Sequence, residues 1–245
     1  MKECSKSIQR RLADSNFLRY YFVGAGVDIG GKPDPLSLYK DLFPLATSIM
    51  TWDWEQGDAQ FLVDVADSTW DFVHSSHCLE HLQEPAQGLS NWVRVLKPGG
   101  HLIVTVPDED LYEQGIFPST YNKDHKWTFT IFKKKSWSTH SINILDLVKS
   151  LGEEVELVKI ERLVSTYRFG LPRYDQTLTP VGECGIEFVI RKRHEQEVFS
   201  GGWIKRSVVQ PEREQRLHLN QYVEDMRQMK RSNIQAQPFT NDDPL

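Results

Sequence analysis

Four short apolar segments in the first half of the sequence constrain the fold more than any other feature. They are Gly26–Ile29, Thr47–Trp52, Trp70–Ser75 and His101–Val106, each rich in valine, isoleucine or aromatic residues. The last two flank a helical pattern, Glu84–Leu96, which is followed by the turn sequence Lys-Pro-Gly-Gly. Because strands that alternate with helices form parallel sheets with covered faces, the sequence predicts an α/β protein with a mostly parallel sheet.

The second half of the sequence extends the same pattern. A helix is predicted over Ser141–Leu151 and two further strands over Val155–Val164 and Gly185–Arg191. The loop between these strands has about twenty residues, and a connection of that length is usually functional or mobile. The last strand is therefore expected to join the sheet after a long excursion of the chain.

The chain length of 245 residues favours one domain with extensions over two domains. We expect a helical lead-in over 1–24, the main domain over 25–195 and a C-terminal amphipathic helix with a disordered tail over 196–245. The helix is indicated by apolar residues at helical spacing, namely Leu219, Tyr222, Val223, Met226 and Met229. This apolar stripe could pack on the body of the protein or join two copies into a homo-oligomer.

Composition and charge exclude several classes of protein. No apolar run approaches the roughly 20 residues of a membrane helix, and the N-terminal residues have no apolar core typical of a signal peptide. A net charge of -5 disfavours a nucleic-acid partner. Three cysteines without a C-x-x-C spacing argue against disulfides and zinc, and no histidine, cysteine or carboxylate cluster has metal-ligand spacing. We expect a cytoplasmic protein that binds no metal.

The glycine-rich turn Gly26-Val-Asp-Ile-Gly-Gly after the first predicted strand indicates a nucleotide site. A dinucleotide fingerprint that starts at Gly24 fails, because its third glycine would fall on Ile29. The alternative is S-adenosylmethionine, which has no pyrophosphate. In that interpretation Asp28 orients the turn or takes the cationic end of the ligand, while Gly30 and Gly31 make room.

Acids after the second predicted strand fit the rest of that cofactor. Asp53 is placed to accept both ribose hydroxyls, and Asp58 with the small Ala59 could accept from the adenine amino group and leave space for its ring.

The segment from Asp71 to Asp108 resembles the class I S-adenosylmethionine-dependent methyltransferases. The resemblance is carried by the Leu-Glu-His start after one strand and by the Arg-Val-Leu-Lys-Pro-Gly-Gly turn into the next. It implies a Rossmann-like, mostly parallel seven-stranded sheet with helices on both faces, an antiparallel last strand and S-adenosylmethionine as cofactor. The Ser-Ser-His-x-Leu-Glu-His pattern is similar to the branch linked to surface-glycan and nucleotide-sugar biosynthesis. The chain departs from the family at Lys32 and Asp34, where glycines are usual.

Catalytic candidates follow the fourth and fifth strands of that fold, since ligands lie beyond the carboxyl ends of parallel strands. Ser75, Ser76 and His77 could line the sulfonium and the acceptor, although Ser76 could also cap a helix. Asp108 and Glu109 could face the site or form the acidic first turn of a helix.

His125 is the candidate general base, with Asp124 holding its tautomer. The alternative is a local pair of these two side chains in a surface loop. The resulting hypothesis is methyl transfer to a hydroxyl oxygen of a sugar or related metabolite. Its alternatives are an N-methyltransferase and a non-catalytic binding protein that retains the fold.

Overall fold

Eight strands and four α-helices form the body of the protein in a computed structural model that describes residues 2–203 and 227–232. The strands are β1 Gly24–Ile29, β2 Ala46–Trp52, β3 Trp70–Ser76, β4 Leu96–Pro107, β5 Thr128–Thr130, β6 Ser141–Asn143, β7 Val155–Arg162 and β8 Gly185–Lys192. The helices are α1 Glu3–Ala13, α2 Pro85–Arg94, α3 Ile144–Lys149 and α4 Glu195–Ser200. Short π-helical turns cover Phe17–Tyr21 and Glu109–Glu113, and 3-10 turns cover Leu36–Leu42, Leu79–His81 and Gln176–Leu178.

The main sheet has the strand order β2-β1-β3-β4-β8-β7. Strands β1 to β4 are mutually parallel, while β8 runs antiparallel to both β4 and β7. The predicted fold class, a Rossmann-like class I methyltransferase fold with an antiparallel last strand, is confirmed. A separate pair, β5 and β6, is parallel and lies outside this sheet.

The predicted strand count of seven is wrong for the described part of the chain, where the sheet has six strands. No strand forms in the described segment between β2 and β3. Left-handed backbone conformations at Leu62, Asp64 and Ser68, with φ of 47°, 68° and 56°, interrupt any extended run there. Leu62 is instead 2 % exposed and belongs to the core beneath α2.

Alternating side chains of the strands place a separate hydrophobic core on each face of the sheet. Leu102 and Val104 face the core that contains α2 and α3, whereas Ile103 between them faces the core formed with α1 and the turn Phe17–Tyr21. Helices therefore cover both faces, as the sequence predicts.

Two helix predictions need correction. The predicted helix Ser141–Leu151 begins as strand β6, and only Ile144–Lys149 is helical. The lead-in helix ends at Ala13, because Asp14 is extended and its carboxylate accepts a hydrogen bond from the backbone N–H of Asn16. No helix in the described ranges is long and apolar enough to cross a bilayer.

The C-terminal amphipathic helix falls mostly outside the described residues. Leu219, Tyr222, Val223 and Met226 lie outside them, and Met229 lies in a helical segment at 227–232.

Gly26 in β1 gives a direct test of how tightly the sheet packs. A Cβ atom at this position would lie 2.2 Å from the ring of Phe72, which is fully buried on the neighbouring strand. We expect Gly26→Ala to lower the free energy of unfolding by about 1–3 kcal/mol through overpacking. Urea unfolding followed by circular dichroism measures the change. The matched control is Gly202→Ala, where a Cβ atom meets nothing within 4 Å, and equal midpoints for the two variants would contradict the packing.

Candidate functional site

A cavity of about 230 Å³ opens at the carboxyl ends of β1 and β3. These two strands are neighbours, but the chain passes from β1 to β2 on one side before it crosses to β3 on the other. Such a reversal of strand order leaves a crevice at the strand ends, where ligands bind in open α/β sheets. The glycine turn after β1, the end of β3, the start of α1 and the loop before β5 line the cavity.

The cavity brings together half of the residues that the sequence singled out. Those lining it are Asp28, Gly30, Gly31, Ser76, His77 and His125. Those that do not line it are Asp53, Asp58, Ala59, Ser75, Asp108 and Glu109. Ser76 does not cap a helix, since the following 3-10 turn begins after Cys78 and has no side-chain cap.

Asp28 orients the glycine turn, and each of its carboxylate oxygens already has one partner in the protein. One carboxylate oxygen accepts from the backbone N–H of Leu36 at 2.7 Å, and the other lies 2.6 Å from Nδ1 of His74. The turn packs closely against this carboxylate. A Cβ atom added at Gly31 would lie only 2.4 Å from Oδ2 of Asp28. Gly30 has a φ of 71°, and a Cβ there would lie 2.7 Å from Cβ of Cys78.

His74 is neutral and links the turn to α1. Nη1 of Arg11 lies 3.0 Å from Nε2 of His74, and since a guanidinium only donates, Nε2 is the acceptor and Nδ1 donates to Asp28. Burial lowers the pKa of His74, although the charge of Asp28 opposes that effect.

Lys32 and Asp34, which replace the usual glycines, have separate structural roles. Asp34 is buried and accepts from the backbone N–H of Ser5 at 2.8 Å and from the hydroxyl of Tyr39 at 2.6 Å. It therefore fastens the start of α1 to the glycine turn. Lys32 is half exposed and pairs with Glu55 at 2.6 Å, so its charge is held at the surface.

Asp53 and Asp58 lie outside the cavity with acceptor capacity to spare. Oδ1 and Oδ2 of Asp53 accept one backbone N–H each, from Trp54 at 2.9 Å and Lys32 at 3.0 Å. Asp58 is exposed, and its Oδ1 accepts from the backbone N–H of Gln60. A carboxylate oxygen has about two lone pairs, so these acids can accept from further hydroxyl or amino groups. These acceptors fit the ribose hydroxyls and the adenine amino group of S-adenosylmethionine.

Ser75 and Ala59 serve the scaffold. The hydroxyl of the buried Ser75 donates to the backbone carbonyl of Ile29, and the carbonyl of Ala59 accepts from the indole N–H of Trp92. Ser75 is therefore corrected from a ligand-facing residue to one that ties β3 to β1.

Asp108 is corrected from a catalytic candidate to a helix cap. It is 0 % exposed, and its Oδ1 accepts from the backbone N–H groups of Asp110 and Leu111. Burial raises the pKa of Asp108 to about 6, even though Nε of Arg162 lies 2.9 Å from the other oxygen. The alternative interpretation, an acidic start of a helical turn, is the one that the structure supports.

Glu109 is likewise engaged away from the cavity. Its carboxylate pairs with Nζ of Lys133 at 2.6 Å and accepts from the hydroxyls of Ser136 at 2.9 Å and Ser141 at 2.5 Å. It fastens the segment around β6 to the turn Glu109–Glu113.

His125 lies in the cavity wall and is held by Glu113 rather than by the predicted Asp124. It is 6 % exposed, and its Nδ1 lies 2.9 Å from Oε1 of Glu113. The prediction missed Glu113 because twelve residues separate it from His125 and no periodic pattern links the two. A buried carboxylate at Nδ1 leaves Nε2 as the free nitrogen of the ring.

Three histidines surround the buried carboxylate of Glu80. Its Oε1 lies 3.4 Å from Nδ1 of His77, 3.9 Å from Nε2 of His125 and 4.0 Å from Nε2 of His81. Burial alone would raise the pKa of Glu80, but His77, whose Nδ1 lies 3.4 Å from Oε1, lowers it, so Glu80 is a carboxylate. The pKa of His77 is raised. Burial alone would lower it, but the neighbouring carboxylates of Glu80 and Glu3 outweigh that effect.

The sequence shows no cluster with metal-ligand spacing, but the fold gathers a group of side chains that could hold an ion. Glu80, His81 and His125 each place one ligand atom within 4.8 Å of the others. The sequence spacing of this set, two neighbours and one residue more than forty positions later, matches no local metal motif, so only the fold reveals it.

Comparison with known proteins shows a methyltransferase domain at residues 26–104. An uncharacterized methyltransferase of Schizosaccharomyces pombe is 38 % identical over 58 residues, which are 24 % of this chain and 20 % of that protein. The chain thus matches about a fifth of the length of this curated relative.

Solved structures of two S-adenosylmethionine-dependent methyltransferases are similar over most of the chain. The one from Clostridium acetobutylicum has a TM-score of 0.48 and 11 % identity over 79 % of this chain and 92 % of its own. The one from Archaeoglobus fulgidus has a TM-score of 0.47 and 17 % identity over 78 % of this chain and 95 % of its own. Since both TM-scores lie below 0.5, the fold assignment rests on the strand order.

Proposed function

We propose that this chain, which carries a class I S-adenosylmethionine-dependent methyltransferase domain, methylates a hydroxyl oxygen of a small polar acceptor. The domain implies S-adenosylmethionine as the cofactor. When bound, that cofactor supplies a methyl group on a sulfonium, and the protein needs chiefly to position the acceptor and manage its proton.

The glycine turn and the two acids beside it would hold the cofactor. Gly30 and Gly31 expose backbone in the cavity wall, while Asp53 and Asp58 offer acceptors to ribose and adenine at the same edge of the sheet. The cavity is smaller than the roughly 300 Å³ at which ligand pockets usually begin. It suits the methionine end of the cofactor with a small acceptor and leaves the nucleoside to the open surface.

The observation that carries the proposal is the His125 and Glu113 pair in the wall of the same cavity. With Nδ1 donating to the carboxylate of Glu113, Nε2 of His125 presents a lone pair. A hydroxyl must lose its proton on methylation, and a histidine held in one tautomer by a buried carboxylate is suited to accept it. The polar lining by Tyr112 and Asn122 supports a polar acceptor.

The narrower parts of the proposal rest on the sequence. They are a sugar acceptor in surface-glycan or nucleotide-sugar biosynthesis, a cytoplasmic location, and a homo-oligomer formed through the C-terminal helix.

Calorimetric titration with S-adenosylmethionine tests the proposal at its first step. The unaltered chain should bind, and Asp53→Ala should weaken binding by about tenfold or more through loss of a charged acceptor. The matched control, Asp41→Ala, removes an exposed carboxylate from the turn Leu36–Leu42 and should bind as the unaltered chain does. Absence of heat at high cofactor concentration would overturn the enzyme proposal in favour of a non-catalytic binding protein.

A further inference from the structure

We propose that Glu80, His81 and His125 bind a divalent first-row transition ion such as Zn²⁺ in the wall of the cavity. The set offers two imidazole nitrogens and one carboxylate, a combination that zinc uses in sites with an open fourth position. Because two of the three ligands are nitrogen, the site favours such ions over Mg²⁺ or Ca²⁺, which prefer oxygen.

The distances between the three side chains suit ligands better than hydrogen-bond partners. Oε1 of Glu80 lies 3.9 Å from Nε2 of His125 and 4.0 Å from Nε2 of His81, which is too long for a hydrogen bond. Tetrahedral ligands with bonds of about 2.0–2.1 Å lie roughly 3.3 Å apart. Small side-chain rotations would therefore bring all three ligands to one ion.

The carboxylate of Glu80 lacks the partners that burial demands. It is 0 % exposed, and neither of its oxygens has a hydrogen-bond donor within the part of the chain that the structure describes. Burying a carboxylate without such partners is costly unless a cation compensates. A cation between Glu80 and the two histidines meets that demand.

The outer hydrogen bonds of the two histidines fix which nitrogen faces Glu80. Nδ1 of His81 lies 3.1 Å from the backbone carbonyl of Asp124, and Nδ1 of His125 lies 2.9 Å from Glu113. Since a carbonyl and a carboxylate only accept, each Nδ1 carries a proton, and in the neutral ring each Nε2 then presents a lone pair. Metal-bound histidines characteristically donate their other N–H to such oxygens.

Three acceptors therefore converge without a donor from His81 or His125 between them. The competing cation is a proton on His77, whose Nδ1 lies 3.4 Å from Oε1 of Glu80 and whose Nε2 lies 3.8 Å from Glu3. A protonated His77 would neutralise Glu80 but would leave the two lone pairs unmatched. The ion accounts for all three groups.

A bound ion would also change how the acceptor hydroxyl is activated in the proposed function. Only this effect of the ion rests on the proposed function. A divalent ion lowers the pKa of a hydroxyl that coordinates it, so an acceptor at the open position would release its proton to solvent water more easily before its oxygen takes the methyl group from the sulfonium. His125 would then act as a ligand of the ion instead of taking the proton itself. Binding of the ion needs neither cofactor nor acceptor.

The test is titration of the full chain, without an affinity tag and after removal of metals by a chelator, with Zn²⁺ and Co²⁺. Calorimetry should show one Zn²⁺ per chain, and Co²⁺ should give the visible absorption bands of a low-coordinate nitrogen and oxygen site. His81→Ala and Glu80→Gln should each weaken Zn²⁺ binding by about tenfold or more. His81 is the more exposed of the ligands, so His81→Ala keeps the test valid if Glu80→Gln unfolds.

Two further variants complete the comparison. His140→Ala removes an exposed histidine outside the cavity and should bind Zn²⁺ as the unaltered chain does, and His77→Ala should retain tight binding. Absence of stoichiometric Zn²⁺ binding, or equal affinity in the unaltered chain and His81→Ala, would overturn the metal site. Loss of Zn²⁺ affinity in His77→Ala, with full affinity retained in His81→Ala, would overturn the proposed ligand set. Cofactor titration of the same samples shows separately whether the proposed function holds.

Discussion

Replacing His125 with alanine should lower the turnover number for methyl transfer by at least about 100-fold, the smaller end of what acid–base groups contribute. The expectation holds whether Nε2 of His125 takes the acceptor proton or binds an ion that acidifies it. Affinity for S-adenosylmethionine should change little, because the acceptors proposed for its nucleoside are Asp53 and Asp58, whereas this ring pairs with Glu113. The measurement is transfer of labelled methyl groups to a panel of sugars and nucleotide sugars.

The matched control for this prediction is His140→Ala. It makes the same substitution at an exposed histidine that does not line the cavity, and turnover should stay within about twofold of the unaltered enzyme. Turnover that survives in His125→Ala would point to an amine acceptor, which needs no base to expose its lone pair. A loss of cofactor affinity equal to the loss of turnover would instead indicate a damaged fold.

Glu187→Gln should lower the free energy of unfolding by about 3–5 kcal/mol, the usual cost of removing one partner from a buried ion pair. Glu187 is 0 % exposed on β8, with Arg10 at 2.6 Å, Arg11 at 2.9 Å and Lys159 at 3.9 Å. The glutamine keeps the shape but leaves these cations without their shared anion. Guanidinium unfolding measures the loss.

Glu161→Gln on β7 is the matched control, since it makes the same substitution in a half-exposed side chain that also pairs with Lys159, at 3.1 Å. We expect it to cost about 0–1 kcal/mol. If Glu187→Gln costs no more than this control, the buried network is not a stabilising element.

The stability difference between the unaltered chain and Glu187→Gln should also depend on pH. Burial alone would raise the pKa of Glu187, but the charges of Arg11 and Arg10 outweigh it and lower the pKa to about 2. A carboxyl whose pKa is lower in the folded chain stabilises the fold above its unfolded pKa and loses that effect as the pH falls toward its folded pKa. The difference between the two proteins should therefore be full above about pH 5 and shrink toward pH 2.

Much of the fold could be predicted from local patterns of apolar residues in the sequence. All six strands of the main sheet lie where apolar, β-branched segments predicted them. The central strands are buried on both faces and need such side chains regardless of their partners. The missing seventh strand and the shortened helix at Ile144–Lys149 were harder to foresee. Each depends on backbone conformations and strand pairing that propensity does not fix.

Fewer features of the candidate site could be predicted from the sequence. The glycine turn and His125 were predicted at positions that do line the cavity, since residues after parallel strands must gather at one edge. Asp108 and His125 were both catalytic candidates in the sequence, with His125 as the candidate general base. In the structure Asp108 caps a helical turn and His125 faces the cavity, paired with Glu113.

The sequence by itself determined the α/β architecture, the glycine turn and the class of cofactor, because each is encoded by residues close together in the chain. Only the tertiary structure decided which polar side chains reach the cavity and that Glu80, His81 and His125 meet there. The physical reason is that the partners of a buried charge are chosen by packing between distant segments, here the turn Leu79–His81 after β3 and the loop before β5. Such packing decides whether a carboxylate caps a helix, pairs with an arginine or lies unpaired at a position where a cation can bind.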